Sequence, residues 1–589
     1  MSASNSAVVE GAMKFVADLD YAALRAVMTD DDVEPKKPED GDEVLDPEFV
    51  FRQSRAGEDT SKVAINAQMK AIYTSKWFWE LAKVCPNNRL WWGGKTTDLD
   101  KRRPGAPMHF PDYLMLFLVC LAGIKGIATL NAAATHIRDA ETWATLVAHM
   151  DQYVPEGWTL LSELPQRNPK KRYANPTLAV AKTPRNDHTR PLPRLRQSNV
   201  TALRPPITKP PKPNQLDYWV RRFRGVDLKN NPLDKTHEYY GLRDAIHDAF
   251  RRASIDQAQA MGVLRTDQQF VYGNPDRNQF IGFDGVVFAV RNHRTADTVD
   301  THRTGTGHDA TGSKFGLFSM RVDGQRHSRV IFDLAHIHKR LDGSHASEQD
   351  VIRELTVPLT ALTDGGAKGL LVDSVARGEL VTHLQRHGIT VVNYPHAKSN
   401  PGRAEGKRWA DGREEKTHLL RVVTHKNHFE NDCQHLIYAV GGELMEVEFT
   451  GAGTYALKPV THLKYLQRGN AANGTRREYH QIHIACSGDD LKPLISLFHA
   501  DATSNDPEFN RGEYVRVYPP GSAASKFLYG ARNDTEARHA DLKARAKYLP
   551  TDRDGQTLRL LGAAIASNAF SWQVHLQAHG EHNVIDNTA

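Results

Sequence analysis

Three carboxylates occupy positions that could do chemistry. Asp284 lies in the middle of QFIGFDGVVFAVRN (279–292), an apolar, β-branched run that reads as a buried strand. Asp373 closes GLLVD (369–373), where a second apolar strand gives way to a helical pattern. Glu536 belongs to YGARNDTEARHADLK (529–543). At 100° per residue, Tyr529, Arg532, Glu536 and Lys543 fall at about 0°, 300°, 340° and 320°. One narrow stripe thus carries an aromatic, two cations and an acid. A carboxylate inside a buried strand is tolerated when it is paired or binds a metal, and α/β sheets place their chemistry at the carboxyl ends of strands. Two adjacent acids repel, and hard divalent cations relieve that repulsion. Mg2+ prefers oxygen donors and keeps waters. Two such ions about 3.5–4 Å apart clamp the attacking and leaving oxygens of an in-line phosphodiester displacement. The expectation is two Mg2+ ions, with Mn2+ as a substitute, held by Asp284, Asp373 and Glu536. The competing explanations are a hydrogen-bonded buried acid at 284, a helix N-cap at 373 and a surface ion pair between Arg532 and Glu536.

The elements that must position these acids follow from the periodicity. SKFGLFSMRVDG (313–324) and HSRVIFDLAHIH (327–338) read as two further strands joined at Asp323-Gly324, a strong turn signal, so residues 279–338 form a three-stranded antiparallel meander. Residues 346–362 are helical, and residues 369–395 read as strand, helix, strand. The order β-β-β-α-β-α-β is that of a ribonuclease-H-like α/β fold, a mixed five-stranded sheet flanked by helices. GELMEVEFTG, TYALKPVTHLKYLQ and RREYHQIHIAC (442–486) read as strands of a β-rich insertion. TLRLLGAAIASNAFSWQVHL (557–576) is an apolar helix suited to be the core partner of the stripe.

The spacing Tyr-x2-Arg-x3-Glu-x6-Lys resembles the YREK signature of the DDE transposases of bacterial insertion sequences, in the branch that cuts and pastes through a hairpin end. Asp284, followed by Gly285, resembles the first acid; Asp373, after its LLVD strand, resembles the second; Glu536 resembles the third. Tyr529, Arg532 and Lys543 resemble the residues that hold phosphates near the transposon end. The family fills the gap between its second and third acids with a β-rich insertion, and 163 positions separate Asp373 from Glu536 here. An aromatic in that insertion stacks a flipped base in related enzymes, which makes Trp409 a candidate beside its plainer reading as a core residue. The resemblance covers residues 270–580. It implies a dimer on paired inverted-repeat ends and two DNA partners, those ends and a target. Two alternatives are a standalone nuclease of the same fold and a non-catalytic DNA-binding protein derived from a transposase.

Composition organises the rest of the 589 residues. Forty per cent apolar and 25% charged is ordinary for a globular chain, and the net charge of +6 says less than its distribution. Between Pro165 and Pro213, twelve cations, Arg167, Lys170, Lys171 and Arg172 among them, face one acid, Asp187. Proline there favours extended chain, and an extended basic tract suits a row of phosphates. The expected division is an acidic flexible tail (1–60), a helical DNA-binding region (61–164) of helix-turn-helix character, the basic Pro-rich linker (165–214), a helical connector (215–270), the first part of the α/β core (271–395), the β-rich insertion (396–524), the closing core helices (525–580) and a tail (581–589). In the connector, YWVRRFRG and DAFRRAS interleave aromatics with arginines, fitting either a phosphate-facing surface or packing. Four scattered cysteines without a CxxC pair suit a reducing compartment. The N-terminus lacks a signal-peptide pattern, and the longest apolar run is about half the roughly 20 residues of a membrane span. The expectation is a cytoplasmic, nucleoid-associated protein away from membranes. Cys433-x-His435 and His483-x-x-Cys486 invite a zinc reading, but their spacings are irregular and the pairs lie far apart, and the many histidines, His302, His308, His336 and His338 among them, read as solvated or packing residues.

Overall fold

A central mixed sheet organises the acids. In this computed structural model the described residues are 62–90, 110–127, 129–164, 210–291, 298–303, 309–321, 329–337, 346–394, 405–408, 414–426, 430–440, 442–451, 454–469, 476–484, 486, 494–498, 515–520 and 522–579; some side chains within them, that of Glu536 included, are not described. All belong to one compact unit, Phe51–Ala589. The sheet contains β1 (Phe280–Phe288), β2 (Asp300–Arg303), β3 (Asp309–Arg321), β4 (Arg329–Ile337), β5 (Gly369–Leu371) and β6 (Thr390–Val392). β1, β3 and β4 pair antiparallel, and β1, β5 and β6 pair parallel, giving the path β4-β3-β1-β5-β6 with the short β2 on the end of β3. This is the meander expected from sequence with one extra short strand. Its turn residues Asp323 and Gly324 lie outside the described residues.

Two groups of helices cover the sheet. α1 (Lys62–Thr74), α2 (Lys76–Ala82), α3 (Asp112–Ala122), α4 (Leu130–His136) and α5 (Ala140–Met150) precede it, with α6 (Pro213–Phe223) and α7 (Leu242–Ala260). α8 (Glu348–Ala361) and α9 (Gly378–Arg386) make the crossovers to β5 and β6. The chain ends in α10 (Ala523–Tyr529), α11 (Asn533–Arg545) and α12 (Arg553–Ala578). Every residue of α3 is buried. Its hydrophobicity all round marks a helix enclosed on every side, so it is a core element and leaves no face for reading DNA. It lies against α12, where a Cβ at Gly562 would stand 2.4 Å from the Val119 carbonyl oxygen and one at Gly123 2.4 Å from the Ala563 nitrogen. One apolar cluster runs from α1–α5 through α12 to Val286, Phe315 and Ile331 of the sheet. Asn568 of α12 also reaches β4. Its amide donates to the Ile331 carbonyl (2.8 Å) and its oxygen accepts from the Ile331 amide (2.9 Å), where the β3–β4 register shifts. Two of the connector arginines are engaged internally: Arg251 pairs with Asp333, and Arg222 stacks on Tyr218 and Tyr239.

The β-rich region after β6 forms two sheets. The first holds β7 (Glu405–Arg408), β8 (Glu414–Lys426), β9 (Asp432–Val440), β10 (Glu443–Gly451) and β11 (Thr454–Pro459); the second holds β12 (Thr461–Gly469), β13 (Arg476–His483) and β14 (Leu494–Phe498). Among the described residues the two sheets share a core of Leu420, Ile437, Ala439, Leu444, Val460, Ile482, Ile484 and Val515. No helix among the described residues is long and apolar enough to cross a membrane.

Candidate active site

The register of the parallel strands brings the first two acids together. β1 pairs with β5 so that Ile281 faces Leu370 and Gly282 faces Leu371. Continued two residues, the same register sets 284 opposite 373. Both carboxylates converge on one guanidinium: Arg532 Nη2 lies 4.0 Å from Asp284 Oδ2 and 3.9 Å from Asp373 Oδ2. These distances exceed hydrogen-bond length, so Arg532 compensates charge without locking either acid. The Asp284 side chain is 15% exposed and that of Asp373 36%, so the pair opens to solvent on the Asp373 side.

The surroundings explain the electrostatics. Burial pushes the Asp284 carboxyl up to about 6; Arg532 opposes this, while Asp373 and Glu348 add to it. Glu348 was not singled out from the sequence. It starts α8 behind the Ser347–Asp350 capping box, and its Oε1 would lie 1.8 Å from a Cβ at Gly285, so Gly285 makes room for a third carboxylate beside the pair. Lys314 of β3 binds Glu348 at 2.8 Å. His539 was missed too. Its Nδ1 stands 3.8 Å from Asp284 Oδ2. Burial, with Lys543 and Arg532 adding, holds the imidazole down to about 4, so it is neutral at physiological pH. The spacing Glu536-x-x-His539 was its signal, because residues three apart share a helix face.

Asp373 is held by its loop. Its Oδ1 accepts from the Val375 amide (2.8 Å), and Asn393 donates to the carbonyls of Asp373 (3.1 Å) and Ala376 (2.9 Å). The buried Arg516 in turn donates to Asn393 Oδ1 (2.7 Å).

The stripe departs from expectation in one respect: it does not lie on one continuous helix. Tyr529 ends α10, a 3-10 turn covers Gly530–Arg532, and α11 begins at Asn533. The break has a tertiary cause. Arg277, from the segment before β1, donates through Nε to the Phe527 carbonyl (2.6 Å), an acceptor the last turn of α10 leaves available, and Gly530 admits the guanidinium, whose Nη2 would be 2.9 Å from a Cβ there. Tyr529 stays close, its ring 5.7 Å from the Arg532 guanidinium and edge-on to Tyr394 at 4.8 Å. Lys543 is exposed one turn beyond His539. Position 536 falls between 532 and 539 on α11, but the Glu536 side chain lies outside those described, as do Trp409, Arg167, Lys170, Lys171 and Arg172.

The rear of α11 is anchored. Asp541 takes Arg545 (3.0 Å), Arg538 (3.5 Å) and Lys125 (3.3 Å), and Ser567 of α12 donates to it (3.0 Å). Burial alone would raise this carboxyl; the three cations hold it well below the usual carboxylate range. The site is therefore an all-oxygen pair with a raised carboxyl, a solvent-facing side and a helix fixed behind it. That donor chemistry fits a hard divalent cation. The chain matches no protein-family model and no curated protein.

Proposed function

We propose that this chain is a DNA transposase that cuts and pastes through metal-dependent strand cleavage and strand transfer. The observation that carries the reading is the placement of Asp284 and Asp373 at facing positions of parallel strands, against the guanidinium that starts the Glu536 helix. The strand path β4-β3-β1-β5-β6, antiparallel then parallel, supports a ribonuclease-H-like core. The β-rich stretch between β6 and α10 supports the transposase branch.

Asp284, Asp373 and Glu536 would hold two Mg2+ ions, which supply Lewis-acid activation of the attacking oxygen and stabilise the leaving one. The strand register would fix where Asp284 and Asp373 hold them. Water attacks the phosphorus at the element's end, the P–O3′ bond breaks, and the 3′-oxygen leaves as a hydroxyl after taking up a proton. That hydroxyl then attacks phosphorus on the opposite strand, forming a hairpin and releasing the flanking DNA's 3′-hydroxyl; a second water opens the hairpin and regenerates the element's 3′-hydroxyl, which attacks phosphorus in the target and displaces a target 3′-oxygen. Arg532, 3.9–4.0 Å from both acids, would offer its charge to a phosphate there. Lys543 adds a second cation and Tyr529 a hydroxyl. His539, neutral, keeps a further positive charge away from Asp284. The protein acts as a dimer on paired ends in the cytoplasm.

The test uses the purified protein, Mg2+, and DNA carrying the gene's own flanking sequence. The expected result is cleavage at inverted repeats in that DNA, lost by about 1,000-fold or more in Asp284→Asn and Asp373→Asn, consistent with removing a group that holds charge in the transition state. Equal cutting of an unrelated supercoiled plasmid would favour the nuclease reading. DNA binding without cleavage, unchanged in both variants, would favour a non-catalytic protein.

A further inference from the structure

The β-rich region contains a second cluster of ligating groups, of a different chemistry. His425 on β8, His435 on β9 and Cys486, three residues beyond β13, place one ligand atom each within 4.8 Å of one another. The imidazoles stack at 5.2 Å between centroids and 11° between planes, with Nε2 facing Nε2 at 3.1 Å.

The tautomers make this contact informative. His435 Nδ1 lies 2.6 Å from Glu446 Oε1, a carboxylate that accepts, so this nitrogen carries the proton. His425 Nδ1 lies 3.2 Å from the Lys426 carbonyl oxygen, again an acceptor. A ring whose Nδ1 carries the proton presents its Nε2 as a metal donor, and the two Nε2 atoms stand 3.1 Å apart. Zinc with Zn–N bonds of about 2.0–2.1 Å sets two tetrahedral nitrogens about 3.3 Å apart, close to the separation here. A histidine that gives its other N–H to a carboxylate is the usual support of a zinc ligand, and Glu446 fills that place, buried beside His435.

We propose that His425 Nε2, His435 Nε2 and the Cys486 thiolate bind a zinc ion that clamps the two sheets of the β-rich region. Glu446 is a positioning residue that fixes the His435 tautomer, and the Cys486 thiol proton leaves for solvent on binding. His425 and His435 come from the five-stranded sheet and Cys486 from the chain leaving the three-stranded one, so the ion would join two elements whose described shared core is eight residues. The nitrogen and sulfur donors select against Mg2+, so this site and the acid pair do not compete for one ion.

The full-length protein, purified without added metal, is assayed for zinc and then titrated with Co2+ after zinc removal. The expected result is about one zinc per chain, and a Co2+ spectrum with a tetrahedral ligand-field band and a thiolate charge-transfer band. Cys486→Ser and His435→Ala should bring zinc down to under about a tenth per chain and abolish the thiolate band, and Glu446→Gln should keep the band with binding about 10–100-fold weaker. Co2+ at the acid pair would show no thiolate band, which separates the two sites. If either variant fails to fold, the wild-type metal content and spectrum decide alone. A wild-type protein that takes up neither zinc nor cobalt at micromolar concentration, or a folded Cys486→Ser that keeps the thiolate band, overturns the proposal.

Discussion

The sheet of the acid pair and the sheets of the β-rich region hold charge in opposite ways. Around Asp284 and Asp373 the protein supplies cations of its own: Arg532 at 3.9–4.0 Å, Lys314 on the neighbouring Glu348, and a three-cation cage behind α11 around Asp541. Around His425 and His435 the facing atoms are imidazole nitrogens, backed by one buried glutamate. In the first arrangement a guanidinium offsets the acids. In the second two ring nitrogens stand 3.1 Å apart. The two clusters thus differ in what stands between their side chains: a guanidinium in one, the ring nitrogens themselves in the other. They differ in support as well, since the strand of Asp284 packs on a large cluster shared with α3 and α12.

The largest expected effect tests that support. Gly562→Val sets a side chain against the Val119 carbonyl, 2.4 Å from where its Cβ must go, and backbone cannot rotate away. Unfolding by denaturant should show a loss of about 3 kcal/mol or more, the upper range for overpacking. No loss would mean that α3 and α12 do not meet as described. Next is the charge on Asp284. Its folded pKa of about 6 lies above the ordinary carboxylate value, so between about pH 4 and 6 the folded protein binds more protons than the unfolded one. Stability is therefore lost as pH rises through that window, by up to about 3 kcal/mol in protein free of divalent ions. Asp284→Asn should stabilise such protein at pH 8 and change little at pH 4; a variant less stable at pH 8 would make Asp284 a structural ion-pair partner. Mg2+ sharpens the contrast further. At about 100 times its dissociation constant it should raise wild-type stability by about 2.7 kcal/mol and leave Asp284→Asn nearly unmoved. The smallest effect is at Gly285. Gly285→Ala must push the Glu348 carboxylate aside, a flexible group, so the expected cost is about 1 kcal/mol, and the Asp284 titration seen by NMR should move down as Glu348 withdraws.

The acid pair was legible in the sequence because an acid inside FIGFD and another ending GLLVD violate the apolar strand pattern, and because parallel register then follows from the strand order. The extra strand β2 and the strands β8 and β9 were not read out. EEKTHLLRVVTHK is mostly polar, and its pairing with β9 is set by the partner strand. Glu348 and His539 became neighbours of Asp284 through tertiary packing, which one chain's periodicity does not carry. The break between α10 and α11 depends on Arg277, 250 positions from Phe527, and no local window contains both. Of the zinc reading, His435 and Cys486 come together, yet with His425 and not with each other's sequence neighbours Cys433 and His483.

Asn393 and Arg516 join at 2.7 Å across 123 positions of sequence. The chain therefore leaves the sheet after β6 and returns to it at the same place, and Gly442 bridges to Val515 just inside that closure. A segment whose ends meet at a latch can lengthen, shorten or be exchanged as a cassette while Asp373 keeps its address.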